Sequence, residues 1–269
     1  MITSAATDSS PRAPMTSDRK RTLAAGVLYV VTFVAIPALL LIGPVLTDPN
    51  YIISDGVDIR VLLGCVLDIV VALTGIGTAV ALFPVLRRHN EATALGFVTA
   101  RIFEAGVILI GVVSLIALVT LRQSIGGPDA GDPATLVVAG QSLVAVRDVT
   151  FLLGPGVVPA LSALLLAPIL FRARLVPRIL PIIGLIGVPL LLASSAATLF
   201  STNGQISALS FVLGLPIAVW EFALGIWMIV KGFRPAAPAE GLVESSGCTD
   251  DEFGHLGRST APWAPSATR

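Results

Sequence analysis

Residues 95–121 read LGFVTARIFEAGVILIGVVSLIALVTL, a largely apolar run in which Arg101 and Glu104 are the only charged residues. An α-helix rises about 1.5 Å per residue, so roughly 20 apolar residues cross the ~30 Å hydrocarbon core of a bilayer. The run exceeds that length. It therefore predicts a membrane-spanning helix that carries two charges into the bilayer.

Five further segments satisfy the same rule of length and composition. The sequence predicts an all-α, polytopic membrane bundle with spans at about residues 23–46, 61–86, 95–121, 143–170, 179–200 and 206–230. The first span is not a cleavable signal peptide, because its apolar stretch is longer than the roughly 7–15 residues of a signal h-region.

Composition supports this class and excludes others. Of the 269 residues, 55% are hydrophobic and 13% are charged, and the mean hydropathy is +0.90. Soluble domains carry about 25% charged residues. A formal net charge of zero excludes a basic nucleic-acid-binding protein. The lipid bilayer is therefore the first partner that the sequence predicts.

Positive charge orients the predicted bundle, because short loops that face the cytoplasm carry an excess of Lys and Arg. One side of the predicted topology holds eleven such residues, and the other holds two, Arg60 and Arg122. The eleven are Arg12, Arg19, Lys20, Arg21, Arg87, Arg88, Arg172, Arg174, Arg178, Lys231 and Arg234. We therefore expect both termini in the cytoplasm.

Polar segments flank the spans. Residues 1–18 and 235–269 are rich in Ser, Ala and Pro and cannot bury enough apolar surface to fold alone. Each is predicted to be a disordered cytoplasmic tail on the membrane domain of residues 19–234. Met15 is an alternative start to Met1.

The fourth predicted span contains helix breakers near its middle. Gly154, Pro155, Gly156 and Pro159 fall close together. Proline removes a backbone donor, and glycine lets the chain bend. The pattern predicts a helix break, with two interpretations open: a kink packed against its neighbours, or unwound backbone that lines a substrate cavity.

Six ionisable residues fall within the spans, where each costs ~2.5–3.5 kcal/mol at a helix centre and so needs a partner or a purpose. Arg101 and Glu221 lie about equally far from the cytoplasmic surface, and Glu104 follows Arg101 at the i, i+3 spacing of one helix face. We expect these three residues to form an inner polar cluster.

Asp68, Arg147 and Asp148 lie in the external half and form the predicted outer polar cluster, with Asp68 and Arg147 as its ion pair. Each cluster holds two carboxylates and one guanidinium, so one acid is in excess. That acid either belongs to a satisfied polar network that fixes helix packing or binds a proton, a cation or a substrate.

A short internal repeat accompanies the charges. Val31-Thr32-Phe33 in the first span recurs as Val149-Thr150-Phe151 in the fourth, and Phe103-Glu104 in the third resembles Trp220-Glu221 in the sixth. The repeat suggests two three-helix halves of inverted topology, as in several transporters. Chance matches between apolar sequences are the alternative.

Histidine and cysteine exclude several chemistries. His89 and His255 fall outside the predicted spans, which leaves no imidazole there for haem, zinc or a Ser–His dyad. Cys65 and Cys248 are expected in different compartments. We predict no metal, no cofactor and no enzymatic activity; the weaker alternative is an intramembrane hydrolase that uses the membrane aspartates or serines.

Several short motifs occur in the order of one family. Arg101-Ile-Phe-Glu104-Ala opens the third span, Pro177-Arg178-Ile179-Leu180 opens the fifth, and Trp227-Met228-Ile229-Val230-Lys231-Gly232 ends the sixth. Over residues 19–233 the chain resembles the bacterial membrane family called domain of unknown function 4386. The resemblance implies six helices and a bacterial plasma membrane, and it directs attention to Arg101, Glu104 and Glu221 without supplying a reaction.

Two main functions stay open. The first is a non-catalytic accessory or sensor-type protein that acts with a second copy or another membrane protein, as its modest size and short loops suggest. The second is the binding or transport of a small solute, proton or cation by the buried carboxylates. A polar cavity that reaches Glu104 and Glu221 would favour the second, and a dry, fully paired cluster would favour the first.

Overall fold

The computed structural model describes residues 16–54, 58–124, 132–200 and 207–234, and within them all regular elements are helical. In chain order the helices are α1 (Ser17–Val31), α2 (Ala35–Thr47), α3 (Ile59–Leu86), α4 (Glu91–Ser124), α5 (Pro133–Leu153), α6 (Val158–Arg172), α7 (Ile179–Leu199) and α8 (Ala208–Val230). Short 3-10 turns occupy Thr32–Val34 and Tyr51–Ile53. The predicted tails fall outside the described residues, except that α1 begins at Ser17, inside the segment 1–18.

In the described part of the chain, six helical segments are long and apolar enough to cross a membrane: α1 with α2, α3, α4, α5 with α6, α7, and α8. The predicted all-α bundle of six spans is confirmed. The fourth segment begins at Pro133, ten residues before the expected boundary at 143. The side chain of Asp132 accepts a hydrogen bond from the Thr135 backbone at 3.2 Å, which caps this polar extension of the helix.

The two ends of the membrane domain meet at one face of the bundle, called here the termini face. Arg19 of α1 donates hydrogen bonds to the backbone carbonyls of Met228 at 2.6 Å and Ile229 at 2.5 Å. Carbonyls at a helix C-terminus lack partners within the helix, so a guanidinium there both bonds them and complements the helix dipole. Arg19 thus fastens the start of α1 to the end of α8.

Two apolar cores lie at the two ends of the bundle. The core near the termini face includes Tyr29, Phe97 and Trp220, all almost fully buried. The core toward the opposite face includes Ile42 and Leu115. Arg101 lies beside the first core, 5.7 Å from the centre of the Phe97 ring, and Asp68 lies on α3 between Cys65 and Ala72 of the second.

Helix α8 is tightly packed over only its C-terminal half. Its buried residues are Ile217, Trp220, Leu224, Gly225 and Met228. A Cβ atom built on Gly26 of α1 would lie 2.8 Å from the Gly225 carbonyl oxygen, so glycine is required for this contact between α1 and α8. From Ala208 to Pro216, by contrast, no residue of α8 is buried. This difference leaves a gap on the far side of the charged residues.

Candidate functional site

Arg101 organises the charged residues nearest the termini face. Its Nη1 donates to Glu104 Oε2 at 2.8 Å and its Nη2 donates to Glu221 Oε1 at 2.5 Å. Arg101 is only 5% exposed. The i, i+3 spacing on α4 supplies the first contact, and the close approach of α8 supplies the second. The contacts predicted for the inner polar cluster are therefore present.

Tyr29 belongs to the same cluster, and the sequence reasoning missed it. The Arg101 Nη2 donates to the Tyr29 hydroxyl at 2.8 Å, and that hydroxyl lies 3.4 Å from Glu221 Oε1. The guanidinium also lies 5.3 Å from the centre of the Tyr29 ring. A buried tyrosine needs a polar partner for its hydroxyl, and this requirement was the available signal.

The outer cluster forms in part. Arg147 Nη2 donates to Asp68 Oδ2 at 3.2 Å, and both residues are buried. Asp148 follows Arg147 directly on α5. It is half-buried and lines a separate cleft with Asp48 and Gln141. Successive residues on a helix point about 100° apart, so Arg147 and Asp148 face different surroundings.

The fourth span is interrupted at Gly154–Val157, where the sequence predicts a break. α5 ends at Leu153 and α6 begins at Val158. Gly156 directs its carbonyl to Ser195 of α7, whose hydroxyl donates a hydrogen bond at 2.6 Å. Pro159 does not break the chain as expected. It occupies the first turn of α6, where a missing backbone donor costs no helical hydrogen bond.

The first span contains a second interruption that the sequence reasoning missed. A 3-10 turn at Thr32–Val34 separates α1 from α2. Pro37 follows Phe33 by four residues, and Pro155 follows Phe151 by four, so the repeated Val-Thr-Phe motif precedes a proline at one spacing in both spans. Proline clashes with the carbonyl four residues before it, which accounts for the loss of regular helix.

The two Val-Thr-Phe motifs also share a hydrogen bond. The Thr32 hydroxyl donates to the Tyr29 carbonyl at 2.6 Å, and the Thr150 hydroxyl donates to the Arg147 carbonyl at 2.8 Å. In each case the acceptor lies three residues earlier and belongs to a residue of a polar cluster. The structure thus gives the internal repeat a common local geometry beside the charges.

One cavity of about 350 Å³ joins the two polar clusters. Its charged lining consists of Asp68, Arg101, Glu104, Arg147 and Glu221. The clusters, which the sequence reasoning treated as separate, therefore share one space. These five residues comprise two guanidinium groups and three carboxylates, so one negative charge is in excess when all are ionised.

Both helix interruptions also reach the cavity. Thr32 and Phe33 line it from the first span, and Phe151 and Pro155 line it from the fourth. Gly75 of α3 is buried and lines the cavity, yet a Cβ atom built on it would meet nothing within 4 Å. The part of the cavity beside Gly75 is therefore large enough to accept a side chain or part of a ligand.

The ion pairs do not satisfy every buried polar atom. The Nε atoms of Arg101 and Arg147 are buried and have no hydrogen-bond partner among the described residues. Buried polar groups in folded proteins are nearly always hydrogen-bonded. Each of these two guanidinium groups therefore keeps one donor beyond its ion pairs in the described part of the chain.

Comparison with known proteins agrees with the sequence resemblance. The family profile described as domain of unknown function DUF4386 matches residues 24–232. Neither the curated proteins nor the solved structures contain a match to the chain. The matched segment covers most of the chain and holds the whole cavity, and the chain therefore belongs to the DUF4386 family of membrane-spanning proteins.

Proposed function

We propose that the chain is a bacterial plasma-membrane protein with both termini in the cytoplasm. Arg19, Arg21, Arg87 and Arg88 lie at or near the termini face, and Asp18 pairs with Arg88 there at 2.6 Å. Cytoplasmic loops carry the excess of basic residues in multi-pass proteins. The charge distribution of the chain supports this orientation.

We propose further that the central cavity reversibly binds a proton or a small cation, and that this binding is the core of the protein's function. The observation that carries this proposal is the meeting of both polar clusters and both helix interruptions at one cavity. Two guanidinium groups can neutralise two of the three carboxylates, and the third requires a proton or a cation at that depth. Interrupted helices line the substrate sites of several transporters.

We propose that the chain is not an enzyme. The described hydrogen bond of the Ser195 hydroxyl runs to the Gly156 carbonyl, and not to a base that could activate it. Within the described residues, no group of three or more His, Cys, Asp or Glu side chains could hold a metal ion. A protein that binds or transports protons needs neither an activated serine nor a metal-binding group of side chains.

An accessory or sensor role is the second candidate. The contact of Arg101 on α4 with Glu221 on α8, at 2.5 Å, ties the two helices together and favours this role. In such a protein, protonation of a carboxylate would loosen that contact and alter how α8 meets a partner. The partner would be another membrane protein or a second copy of the chain.

Proton flux in proteoliposomes tests whether a proton bound in the cavity is carried across the membrane, which separates transport from the accessory role. The full chain is reconstituted with a pH-sensitive dye trapped inside, and a potassium diffusion potential, negative inside, drives protons inward. We expect wild-type protein to acidify the lumen faster than empty liposomes do. Glu221→Gln removes one of the two carboxylates that contact Arg101, and we expect it to lower this rate.

Glu91→Gln is the matched control, because Glu91 is an exposed acid at the start of α4. It should retain the wild-type rate. Equal rates in wild-type and empty liposomes would contradict transport and leave the accessory role. Equal rates in wild type and Glu221→Gln would contradict the assignment of the site.

A further inference from the structure

The cavity has an opening between α2 and α8. Ile36 of α2 and Phe211 of α8 both line the cavity, yet they are 62% and 72% exposed. A side chain that lines a cavity and is also largely exposed marks the place where the cavity meets its surroundings. The opening therefore lies beside these two residues.

The opening lies between two segments that are long and apolar enough to span the bilayer, so in a membrane it would face lipid. Leu40 of α2 and Leu215 of α8 are exposed apolar residues next to it, within segments long and apolar enough to span the bilayer. α2 packs mainly on α3, and no residue of α8 from Ala208 to Pro216 is buried. The gap is thus a lateral one, which leads from the lipid to the charged residues.

The cavity lining combines negative charge with aromatic rings. Glu104 and Glu221 lie in its charged part, and Phe33, Phe151 and Phe211 lie in its apolar part. Aromatic faces attract cations, and they also bury apolar groups. A volume of about 350 Å³ falls within the range of pockets for small organic molecules and far exceeds the needs of a bare ion.

We propose that the cavity takes an organic cation with an apolar body, and that this ligand enters it through the gap between α2 and α8. The cation would lie beside the excess carboxylate, and the apolar body would lie among the phenylalanines. This inference rests on the proposed cation-binding function and names the class of ligand for that site.

Binding of three probes to the full chain in lipid nanodiscs tests the ligand class. Benzyltrimethylammonium carries the charge and an aromatic body, tetramethylammonium carries the charge alone, and phenylacetate carries the opposite charge on a similar body. We expect benzyltrimethylammonium to bind at least about tenfold more tightly than tetramethylammonium, because it buries far more apolar surface. Phenylacetate should not bind.

Two glycine variants locate the site. Gly75→Leu places a side chain in the open space of the cavity and should abolish benzyltrimethylammonium binding. Gly106→Leu is the control, because Gly106 is exposed on α4 and a Cβ atom there also meets nothing within 4 Å. It should bind the probe as wild type does. Retained binding in Gly75→Leu would overturn the location of the site.

The lateral route has its own variant. A Cβ atom on Gly214 of α8 would approach only Leu191 Cδ1, at 3.9 Å, so the backbone there tolerates a side chain, and Gly214→Phe adds a ring to the part of α8 that lines the cavity. We expect slower association of benzyltrimethylammonium in stopped-flow measurements. An unchanged association rate would overturn the route.

The outcomes separate this inference from the proposed function. Equal binding of tetramethylammonium and benzyltrimethylammonium, or tighter binding of phenylacetate, would overturn the ligand class while proton flux could persist. If no probe binds and proton flux still depends on Glu221, the organic-cation inference fails and the proposed function stands. If proton flux is also absent, both fail.

Discussion

At the residue scale, Arg101 is the side chain on which most of the site depends. It contacts Tyr29, Glu104 and Glu221 from three helices, and it is almost fully buried. Arg101→Ala leaves two buried carboxylates without their cation, and the loss of one partner of a buried pair costs about 3–5 kcal/mol. We expect a matching loss of thermal stability in detergent.

The double variant Arg101→Ala with Glu221→Gln should recover part of that stability, because it removes one of the stranded charges. Addition of Glu104→Gln should recover more. A double variant that is no more stable than Arg101→Ala would show that Arg101 and Glu221 are not energetic partners. The unfolding temperatures of the three variants decide the matter.

Residue depth accounts for what the sequence could predict of this cluster. Arg101 and Glu221 lie at the same depth, because both are about ten residues from the predicted cytoplasmic surface. Their opposite charges favour an ion pair between them. The contact of Tyr29 with Arg101 does not follow from depth, because a tyrosine in an apolar run can equally face lipid or pack in an apolar core. Asp148 has the depth of Arg147, but it lines a separate cleft, because depth does not determine which face of a helix a residue occupies.

At the scale of elements, the two interrupted spans are the features that shape the cavity. The dense cluster of Gly and Pro at Gly154–Pro159 made the fourth break predictable. The first break depends on Pro37 alone, and a lone proline is weak evidence. Pro84 and Pro216 lie within α3 and α8, which continue through them as helices.

A matched pair of glycine substitutions tests the packing of these elements. Gly26→Ala forces a methyl group to within 2.8 Å of the Gly225 carbonyl oxygen and should destabilise the protein by about 1–3 kcal/mol. Gly75→Ala fills open space on α3 and should stabilise the helix by about 0.5–1 kcal/mol. Thermal unfolding measures both. Equal effects of the two substitutions would contradict the described contact of α1 with α8 or the space beside Gly75.

At the scale of the whole molecule, composition and span length were sufficient to predict the architecture. Within a bilayer the backbone polar groups must bond to one another, and long apolar segments satisfy this requirement as helices. The cavity was not predictable from the sequence, because its size depends on the separation between α2 and the N-terminal half of α8. Periodicity and hydropathy do not encode that separation.

Orientation is also tested at this scale. In a background without Cys65 and Cys248, Arg88→Cys should resist a membrane-impermeant maleimide in intact cells, because we place it in the cytoplasm. Ala134→Cys, exposed at the start of α5, should react. Labelling of position 88 together with protection of position 134 would reverse the proposed orientation.

The central claim is that the space between the polar clusters accepts a cation. Gly75→Cys in the same cysteine-free background places a thiol in that space, and its reaction with methanethiosulfonate reagents measures access most directly. We expect the cationic ethylammonium reagent to react faster than the anionic ethylsulfonate reagent, and Glu221→Gln to diminish the difference, because the cavity carries an excess negative charge. A thiol at position 75 that reacts with neither reagent, or that prefers the anion, would contradict the account.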